Sequence, residues 1–217
     1  MTSKAVIPAF PVYLFDVDGT LVDSAADICG AIQTVLAETT RPDVPINFLR
    51  RYIGRHLVDL FQDLFPDATP EQLEAWIQQY RRLYPARDHA NTHVFPRVRE
   101  TLAALPGRKS TATTKGTPTT RIVLDRFGLL PFFDHVQGTD GFPHKPAPDV
   151  LLKSIELFGA APNEVLFVGD SATDMEAGRR AGVKLCAVRY GYGDPYEMAR
   201  FKPDYWIDDI GELLSHS

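Results

Sequence analysis

The sequence predicts an α/β fold, in which a doubly wound, Rossmann-like parallel sheet carries an inserted α-helical domain. Two patterns predict it. Short apolar runs of strand length alternate with amphipathic helical segments through the second half of the chain, which is typical of a parallel sheet covered on both faces. Residues 21–93 instead show helical periodicity and no strand. The length of 217 residues suits one core domain with such an insertion.

The short apolar runs are the expected strands, at residues 12–15, 110–113, 135–138, 164–169, 184–188 and 205–207. The segments predicted to be helical between and after them are residues 119–127, 149–158, 173–181 and 210–214. Thr117 is the expected N-cap of the first of these helices, followed by Pro118. Thr173 and Glu176 form a capping-box pattern at the start of the third.

Residues 21–93 are predicted to form a helical cap domain, and residues 1–20 and 94–217 the α/β core. Three apolar stripes run through the helical cap at helical spacing, and the third follows a capping pattern of Thr69, Pro70 and Gln72. An insertion at this point lies above the carboxyl end of the first strand, where open α/β sheets bind ligands. We therefore expect the helical cap to serve as a lid.

Composition limits the possible partners and the compartment. The net charge of −5 gives no basic excess for nucleic acid, and no segment approaches the length of a membrane span. Two prolines and Asp16 interrupt the apolar N-terminal stretch, and no small-residue cleavage site follows, so we expect a strand there and no secretion signal. Two cysteines without paired spacing fit reduced core thiols in the cytoplasm. Either a monomer or a homodimer is compatible with the sequence.

Polar side chains follow the predicted strands, at the point where each strand ends. They are Asp16 and Asp18 after the first strand, then Thr114, Lys115, Lys145, Asp170, Ser171 and Asp174 after later ones. In a parallel sheet all of these groups emerge at one edge. The sequence therefore predicts a pocket that holds several carboxylates and a lysine.

Carboxylates at that density need a cation, and oxygen ligands select a hard ion, for which Mg²⁺ is the expected choice. The ion would lie between Asp16 and Asp170, with Asp174 close by. Lys145 and a threonine hydroxyl would supply an anion site. A phosphoryl group held there can be attacked by one aspartate, while the second serves as acid and base.

Four segments resemble, in order, the motifs of the haloacid dehalogenase superfamily, most closely its phosphoglycolate phosphatase-like members with a helical cap. They are DVDGT (16–20), Thr113, KPAPD (145–149) and GDSATD (169–174). The resemblance implies that Asp16 is the nucleophile and Asp18 the acid–base group, and that Thr113 and Lys145 bind phosphate. It also implies that Mg²⁺ is held by Asp16, the backbone carbonyl of Asp18, Asp170 and Asp174.

Other residues are candidates for binding phosphate or substrate. Gly19, Thr20 and Thr114 are assigned to phosphate binding, and the sequence Thr113-Thr114-Lys115 leaves open which threonine serves. Arg55 and His56 replace the flexible part of a family loop and could reach an acidic substrate tail. A plain break in a surface helix is the alternative for these two.

The predicted function is that of a Mg²⁺-dependent phosphatase acting on a small phosphorylated metabolite through an aspartyl-phosphate. Phosphoglycolate is the first candidate by resemblance, with sugar phosphates and nucleoside monophosphates left open. One alternative is a phosphosugar mutase of the same superfamily. The other is a non-catalytic phosphate-binding protein on this scaffold.

Overall fold

The computed structural model describes residues 6–214. The strands of this part of the chain are β1 (Val12–Phe15), β2 (Val22–Asp23), β3 (His93–Val94), β4 (Arg108–Thr111), β5 (Val165–Gly169), β6 (Lys184–Val188) and β7 (Tyr205–Ile207). Its α-helices are α1 (Ala25–Leu36), α2 (Ile46–Arg50), α3 (Leu57–Leu64), α4 (Pro70–Ala86), α5 (Val98–Ala104), α6 (Thr117–Arg126), α7 (Asp149–Phe158), α8 (Ala172–Ala181) and α9 (Pro195–Ala199). Short 3₁₀ helices cover Leu130–Phe132, Pro162–Glu164 and Ile210–Leu214.

Five strands form one parallel sheet in the order β4-β1-β5-β6-β7. Tyr13 and Phe15 of β1 belong to the apolar cluster on one face, and Val12 and Leu14 belong to the cluster on the other. This alternation follows the two-residue period of a strand, and helices cover both faces. The predicted α/β, Rossmann-like fold class is confirmed.

The helical cap has an apolar cluster of its own, built from α1 to α4 and the loops between them. The start of α4 carries the predicted capping box. Thr69 Oγ1 accepts from the Gln72 backbone N–H at 3.3 Å, and Gln72 Oε1 accepts from the Thr69 backbone N–H at 2.9 Å. This separate cluster supports the division into core and helical cap, although the domain boundaries stay a prediction.

The predicted strand at residues 135–138 is wrong. His135 makes one isolated bridge to Ser110, and the chain then leaves the sheet. Thr111 explains the departure, because its hydroxyl donates to the Gln137 carbonyl at 2.9 Å and accepts from the Gln137 N–H at 2.8 Å. A side chain thus occupies the backbone groups that a ladder would use. The adjacent strand β4 also begins and ends two residues earlier than predicted.

The expectation of no strand within residues 21–93 is wrong as well. Strand β2 pairs antiparallel with β3, Val22 opposite Val94, where the chain enters and leaves the helical cap. Two-residue strands are too short to show a period in the sequence.

The helix starts also differ in detail. Ser171 and Asp174 form the capping box of α8 in place of Thr173 and Glu176. The N-cap of α6 is Gly116, so that Thr117 is already helical. The predicted helix at residues 210–214 is a 3₁₀ helix.

The strand order places a binding site at the carboxyl end of β1. The chain crosses from β1 to β4 on one side of it and later returns to β5 on the other, so the direction of winding changes there. Within residues 6–214, no helix combines the length and the apolarity that crossing a bilayer requires.

Candidate active site

Asp16 and Asp170 lie side by side because they directly follow the adjacent parallel strands β1 and β5. The Asp16 backbone N–H donates to the Val168 carbonyl at 2.9 Å, which continues the ladder to the end of the strand. Both carboxylates are buried. The sheet therefore fixes two acidic groups in a space with little water.

Lys145 lies among these carboxylates and is itself buried. Its Nζ donates to Asp16 Oδ1 at 2.7 Å, to Asp174 Oδ1 at 2.5 Å and to the Ala112 carbonyl at 2.9 Å. All three ammonium donors are thereby used. Lys145 links the ends of β1 and β4 to the first turn of α8.

Asp16, Asp170 and Asp174 form a cluster that fits a divalent cation. One carboxylate oxygen from each lies within 4.8 Å of the other two, and all three residues are buried. Lys145 supplies one positive charge against three acidic groups, so a further cation is needed to balance the cluster. An all-oxygen donor set suits a hard ion such as Mg²⁺.

The pKa values of the site show the same imbalance. Burial raises the pKa of Asp16 to about 7, with Lys145 opposing the rise and Asp174 adding to it. Burial, together with Asp174 and Asp16, also raises the pKa of Asp170 well above its ordinary value. Burial alone would lower the pKa of Lys145, but its ion pairs with Asp16 and Asp174 raise it instead. A bound cation would favour the ionised carboxylates.

Asp174 is oriented by the start of its own helix. Its Oδ2 accepts from the Ser171 backbone N–H at 3.0 Å and from the Ser171 hydroxyl at 2.6 Å. The same capping box therefore starts α8 and directs Oδ1 towards Lys145.

Asp18 lies at the edge of the helical cap. Its Oδ1 accepts from the Ser24 hydroxyl at 2.6 Å, and its Oδ2 is 3.2 Å from Lys115 Nζ. Asp18 is only slightly more exposed than Asp16, at 8% against 2%. A carboxyl group held in this way at a cavity wall can give and take a proton while Asp16 stays enclosed.

Gly19 and Thr20 form the turn that follows the two aspartates. Gly19 has a φ of +92°, and a Cβ there would lie 2.3 Å from Asp170 Oδ2, so that a larger residue has no room. The Thr20 hydroxyl donates to Asp170 Oδ1 at 3.2 Å. Both residues thus lie against Asp170, and their predicted role in phosphate binding stays a prediction.

Thr113 and Thr114 follow β4 beside the pocket. Thr113 is buried, and its hydroxyl accepts from the Lys115 backbone N–H at 3.3 Å. Thr114 lines the cavity described next. Which of the two binds phosphate stays open.

A cavity of about 620 Å³ separates the core from the helical cap. Asp18, Thr114 and Lys115 line it from the core, together with His144. Residues from α1, α4 and the loop before α3 line it from the helical cap. The cavity therefore gives a ligand access to the acid–base candidate.

Arg55 and His56, the candidates from the helical cap, both line this cavity. The Arg55 Nε is 3.7 Å from Asp59 Oδ2, and its guanidinium lies 4.8 Å from the centre of the Tyr52 ring. The His56 ring packs against the ring of His144, tilted by 43°, with the centroids 4.0 Å apart. Arg55 thus already has an acidic partner, and contact of either residue with substrate stays a prediction.

Tyr192 is not among the site residues that the sequence predicts. Its backbone N–H donates to Asp170 Oδ2 at 2.8 Å. Its hydroxyl accepts from the Ser24 N–H at 2.7 Å and donates to Asp23 Oδ1 at 2.8 Å. Tyr192 therefore connects a candidate metal ligand to the first residues of the helical cap.

The contact between Lys115 and Tyr84 was also missed. Lys115 Nζ lies 4.3 Å from the centre of the Tyr84 ring and donates to its hydroxyl at 3.2 Å. Tyr84 is a buried residue of α4. Helical periodicity in the sequence could place Tyr84 on an apolar face, but not against a lysine of the core.

Comparison with known proteins gives the same family. The model of the haloacid dehalogenase-like hydrolases matches residues 13–188. The phosphoglycolate phosphatase of Aquifex aeolicus is 33% identical over 207 residues, covering 94% of each chain. That of Pseudomonas syringae pv. syringae is 35% identical over 215 residues, covering 93% of this chain and 77% of its own.

Solved structures agree. A haloacid dehalogenase-like family hydrolase from Streptococcus pneumoniae has a TM-score of 0.87 at 26% identity, covering 94% of this chain and 97% of its own. A predicted phosphoglycolate phosphatase from Haemophilus somnus has a TM-score of 0.84 at 29% identity, covering 94% and 96%. The predicted enzyme class, a phosphoric monoester hydrolase, is confirmed. As its motifs predicted, the chain belongs to the haloacid dehalogenase-like hydrolase family.

Proposed function

We propose that this enzyme is a Mg²⁺-dependent phosphatase that hydrolyses a small phosphorylated metabolite, with phosphoglycolate as the first candidate substrate. The observation that carries the proposal is the buried set of Asp16, Asp170 and Asp174 around Lys145. The names of the relatives support phosphoglycolate as the first ester to test.

Asp16, Asp170 and the backbone carbonyl of Asp18 would hold Mg²⁺, with Asp174 supporting. When bound, the ion neutralises charge on the phosphoryl oxygens and on the carboxylates around them. Lys145 places a second positive charge in the same enclosed space. These groups bring an anionic ester close to an anionic nucleophile, which would otherwise repel it.

Asp16 attacks phosphorus with a carboxylate oxygen, and the bond from phosphorus to the ester oxygen breaks. Asp18 gives its proton to the departing alkoxide, which leaves an aspartyl-phosphate on Asp16. Asp18, now ionised, accepts a proton from water as the water attacks phosphorus. The acyl-phosphate bond to Asp16 then breaks, releasing inorganic phosphate and restoring both aspartates.

Phosphate release from an aryl phosphate and from phosphoglycolate, with Mg²⁺ and with a chelator, tests this proposal. We expect release only with Mg²⁺, and a loss of at least about 10³-fold in Asp16→Asn. Asp125→Asn is the matched control, because Asp125 is exposed on α6 and belongs neither to the cavity lining nor to the acidic cluster. Equal activity of the wild type and Asp16→Asn would contradict the assigned nucleophile.

A mutase is the second candidate, because the same intermediate could return its phosphoryl group to a sugar. Incubation with a glucose phosphate and analysis of the products separates the two. A phosphatase yields inorganic phosphate and free sugar, whereas a mutase yields an isomeric sugar phosphate.

A further inference from the structure

The α4 wall of the cavity carries an arginine at a position that faces the substrate space. Ile77, Tyr80, Arg81 and Tyr84 all line the cavity. Their spacing of three, four and seven residues places them on one face of the helix. Arg81 is exposed, while the neighbouring Ile77 and Tyr84 are buried.

The other charged side chains that line the cavity already have partners. Lys115 is 3.2 Å from Asp18, and Arg55 is 3.7 Å from Asp59. The Asp140 carboxylate accepts from the Thr117 backbone N–H at 3.2 and 3.1 Å, at the start of α6. These charges are therefore largely offset within the protein.

Arg81 differs, because no carboxylate of the described residues lies within 4.0 Å of its guanidinium. Glu74, on the same helix, accepts instead from the Gln78 side-chain amide at 2.5 Å. An arginine that lines a cavity with its charge unbalanced is suited to an anionic ligand.

His56 and His144, whose ring centroids are 4.0 Å apart, do not compete for that anion. Burial, together with the nearby His56 and Arg81, lowers the pKa of His144 to about 4. Burial also lowers the pKa of His56, with Asp59 opposing the change and Arg81 adding to it. Both rings are neutral near pH 7, so Arg81 is the cation beside them that has no carboxylate partner among the described residues.

Arg81 and Asp18 line the same cavity, Arg81 from the helical cap and Asp18 from the core. Arg81 lies three residues before Tyr84, which is about 4.5 Å along a helix axis. The Tyr84 hydroxyl is 3.2 Å from Lys115 Nζ, and that atom is 3.2 Å from Asp18. Arg81 and the acid–base candidate Asp18 therefore face the same enclosed space, which a small ester could span.

We propose that Arg81 binds a second anionic group, a carboxylate or a phosphate, on the alcohol portion of the substrate and thereby determines specificity. This inference rests on the proposed phosphatase function. Asp16 and Lys145 act on the phosphoryl group that all substrates share, whereas Arg81 selects among the alcohols.

Two esters that differ at one group provide the kinetic test. Phosphoglycolate carries a carboxylate where 2-hydroxyethyl phosphate carries a neutral CH₂OH group. We expect Arg81→Gln to lower the preference for phosphoglycolate, as the ratio of kcat/KM values, by about tenfold, with the change mainly in KM. Arg81→Lys, which keeps the positive charge, should retain part of the preference for phosphoglycolate. The control is Arg82→Gln, an exposed neighbour that does not line the cavity.

A bisphosphate ester of ethylene glycol distinguishes the two anion types. For each anionic ester, the preference is its kcat/KM divided by that of 2-hydroxyethyl phosphate. If Arg81→Gln lowers this preference more for the bisphosphate than for phosphoglycolate, the second anion is a phosphate. If Arg81→Gln lowers the preference less for the bisphosphate than for phosphoglycolate, the second anion is a carboxylate. Either result supports the assigned role of Arg81.

Calorimetric binding separates failure of this inference from failure of the phosphatase proposal. 3-Phosphonopropionate carries a carboxylate and cannot be hydrolysed, and propylphosphonate is its neutral-tailed match. Tighter binding of the first, lost in Arg81→Gln, would support the inference even if the wild type released no phosphate from any ester. An unchanged preference in Arg81→Gln, in both kinetics and binding, would overturn it while leaving the phosphatase proposal intact.

Discussion

Each buried carboxylate of the site is held by a contact that leaves little space around it. Asp170 shows this most clearly, because Thr20 and Tyr192 both donate to it and Gly19 packs against it. A carboxylate that is fixed before the cation arrives loses little freedom on binding, which favours metal affinity. The glycine beside it is therefore as much a part of the site as the acidic group.

Gly19→Ala should lower both the stability of the protein and its Mg²⁺ affinity by more than backbone strain at an alanine would cause. The φ of +92° disfavours a side chain, and the new Cβ would lie 2.3 Å from Asp170 Oδ2. We expect a loss of about 3 kcal/mol in the free energy of unfolding and at least about tenfold in Mg²⁺ affinity. Urea denaturation and Mg²⁺ titration measure the two effects.

Gly159→Ala isolates the backbone contribution. Gly159 has a φ of +60°, and a Cβ there meets nothing within 4 Å. The free energy of unfolding of this variant should fall by about 1 kcal/mol, and its Mg²⁺ affinity should be unchanged. If Gly19→Ala and Gly159→Ala lost equal stability and equal Mg²⁺ affinity, the packing of Gly19 against Asp170 would contribute to neither.

The acidic residues and Lys145 could be found from the sequence because each follows a strand or occupies a recognisable motif. The parallel sheet then brings them to one edge without further information. Tyr192, Ser24 and Arg81 could not be found in this way. Their positions depend on how the helical cap packs over the core, and no local pattern specifies that packing.

At the scale of elements, α1 is anchored to the segment that leads out of the helical cap. Asp27, fully buried in the first turn of α1, accepts from the Asn91 N–H at 2.9 Å, the Asn91 side-chain amide at 3.0 Å and the Thr92 hydroxyl at 2.8 Å. Burial alone would raise the pKa of Asp27, but these bonds and Arg87 hold it below its ordinary value. These bonds join the segment that enters the helical cap to the segment that leaves it.

Asp27→Asn should destabilise the protein by about 2 kcal/mol at pH 7, because charged hydrogen bonds are replaced by weaker or unsatisfied ones. A lowered folded pKa means that this stabilisation is present above the unfolded pKa of about 4 and is lost as the pH falls through the folded value. Denaturant unfolding between pH 7 and pH 3 checks both points. A difference between variant and wild type that stayed constant over that range would show that ionised Asp27 is not the cause.

Short elements were the least predictable from sequence. The strands β1, β5 and β6 are continuous apolar runs and stand out, whereas β2 and β3 have two residues each. The false strand at 135–138 had suitable residues, but the Thr111 hydroxyl took the backbone groups of Gln137. Element type followed from periodicity, except where a strand was too short to show a period or where one side chain competed with the backbone.

Residues 6–214 combine three apolar clusters, two on the faces of the sheet and one in the helical cap. The site lies between the carboxyl edge of the sheet and the cap. Its excess negative charge opposes folding unless a cation is bound.

Mg²⁺ should therefore raise the thermal stability of the protein by mass action. A ligand that binds only the folded state adds about 2.7 kcal/mol at one hundred times its Kd. We expect Tm to rise with Mg²⁺ concentration in the wild type and in Asp125→Asn, and to change little in Asp170→Asn. Calorimetry with Mg²⁺ and with a chelator checks this, and a comparable rise in Asp170→Asn would place the ion elsewhere.

Chemical trapping of the phosphorylated enzyme tests the central proposal, that Asp16 carries the phosphoryl group, most directly. Borohydride reduces an aspartyl-phosphate to homoserine, and mass spectrometry of the peptide locates it. Asp18→Asn should slow the attack of water, and an aryl leaving group needs no acid, so the intermediate should accumulate. We expect homoserine at position 16 after reaction with an aryl phosphate and Mg²⁺. Homoserine at another aspartate, or none at position 16 while phosphate is released, would contradict the mechanism.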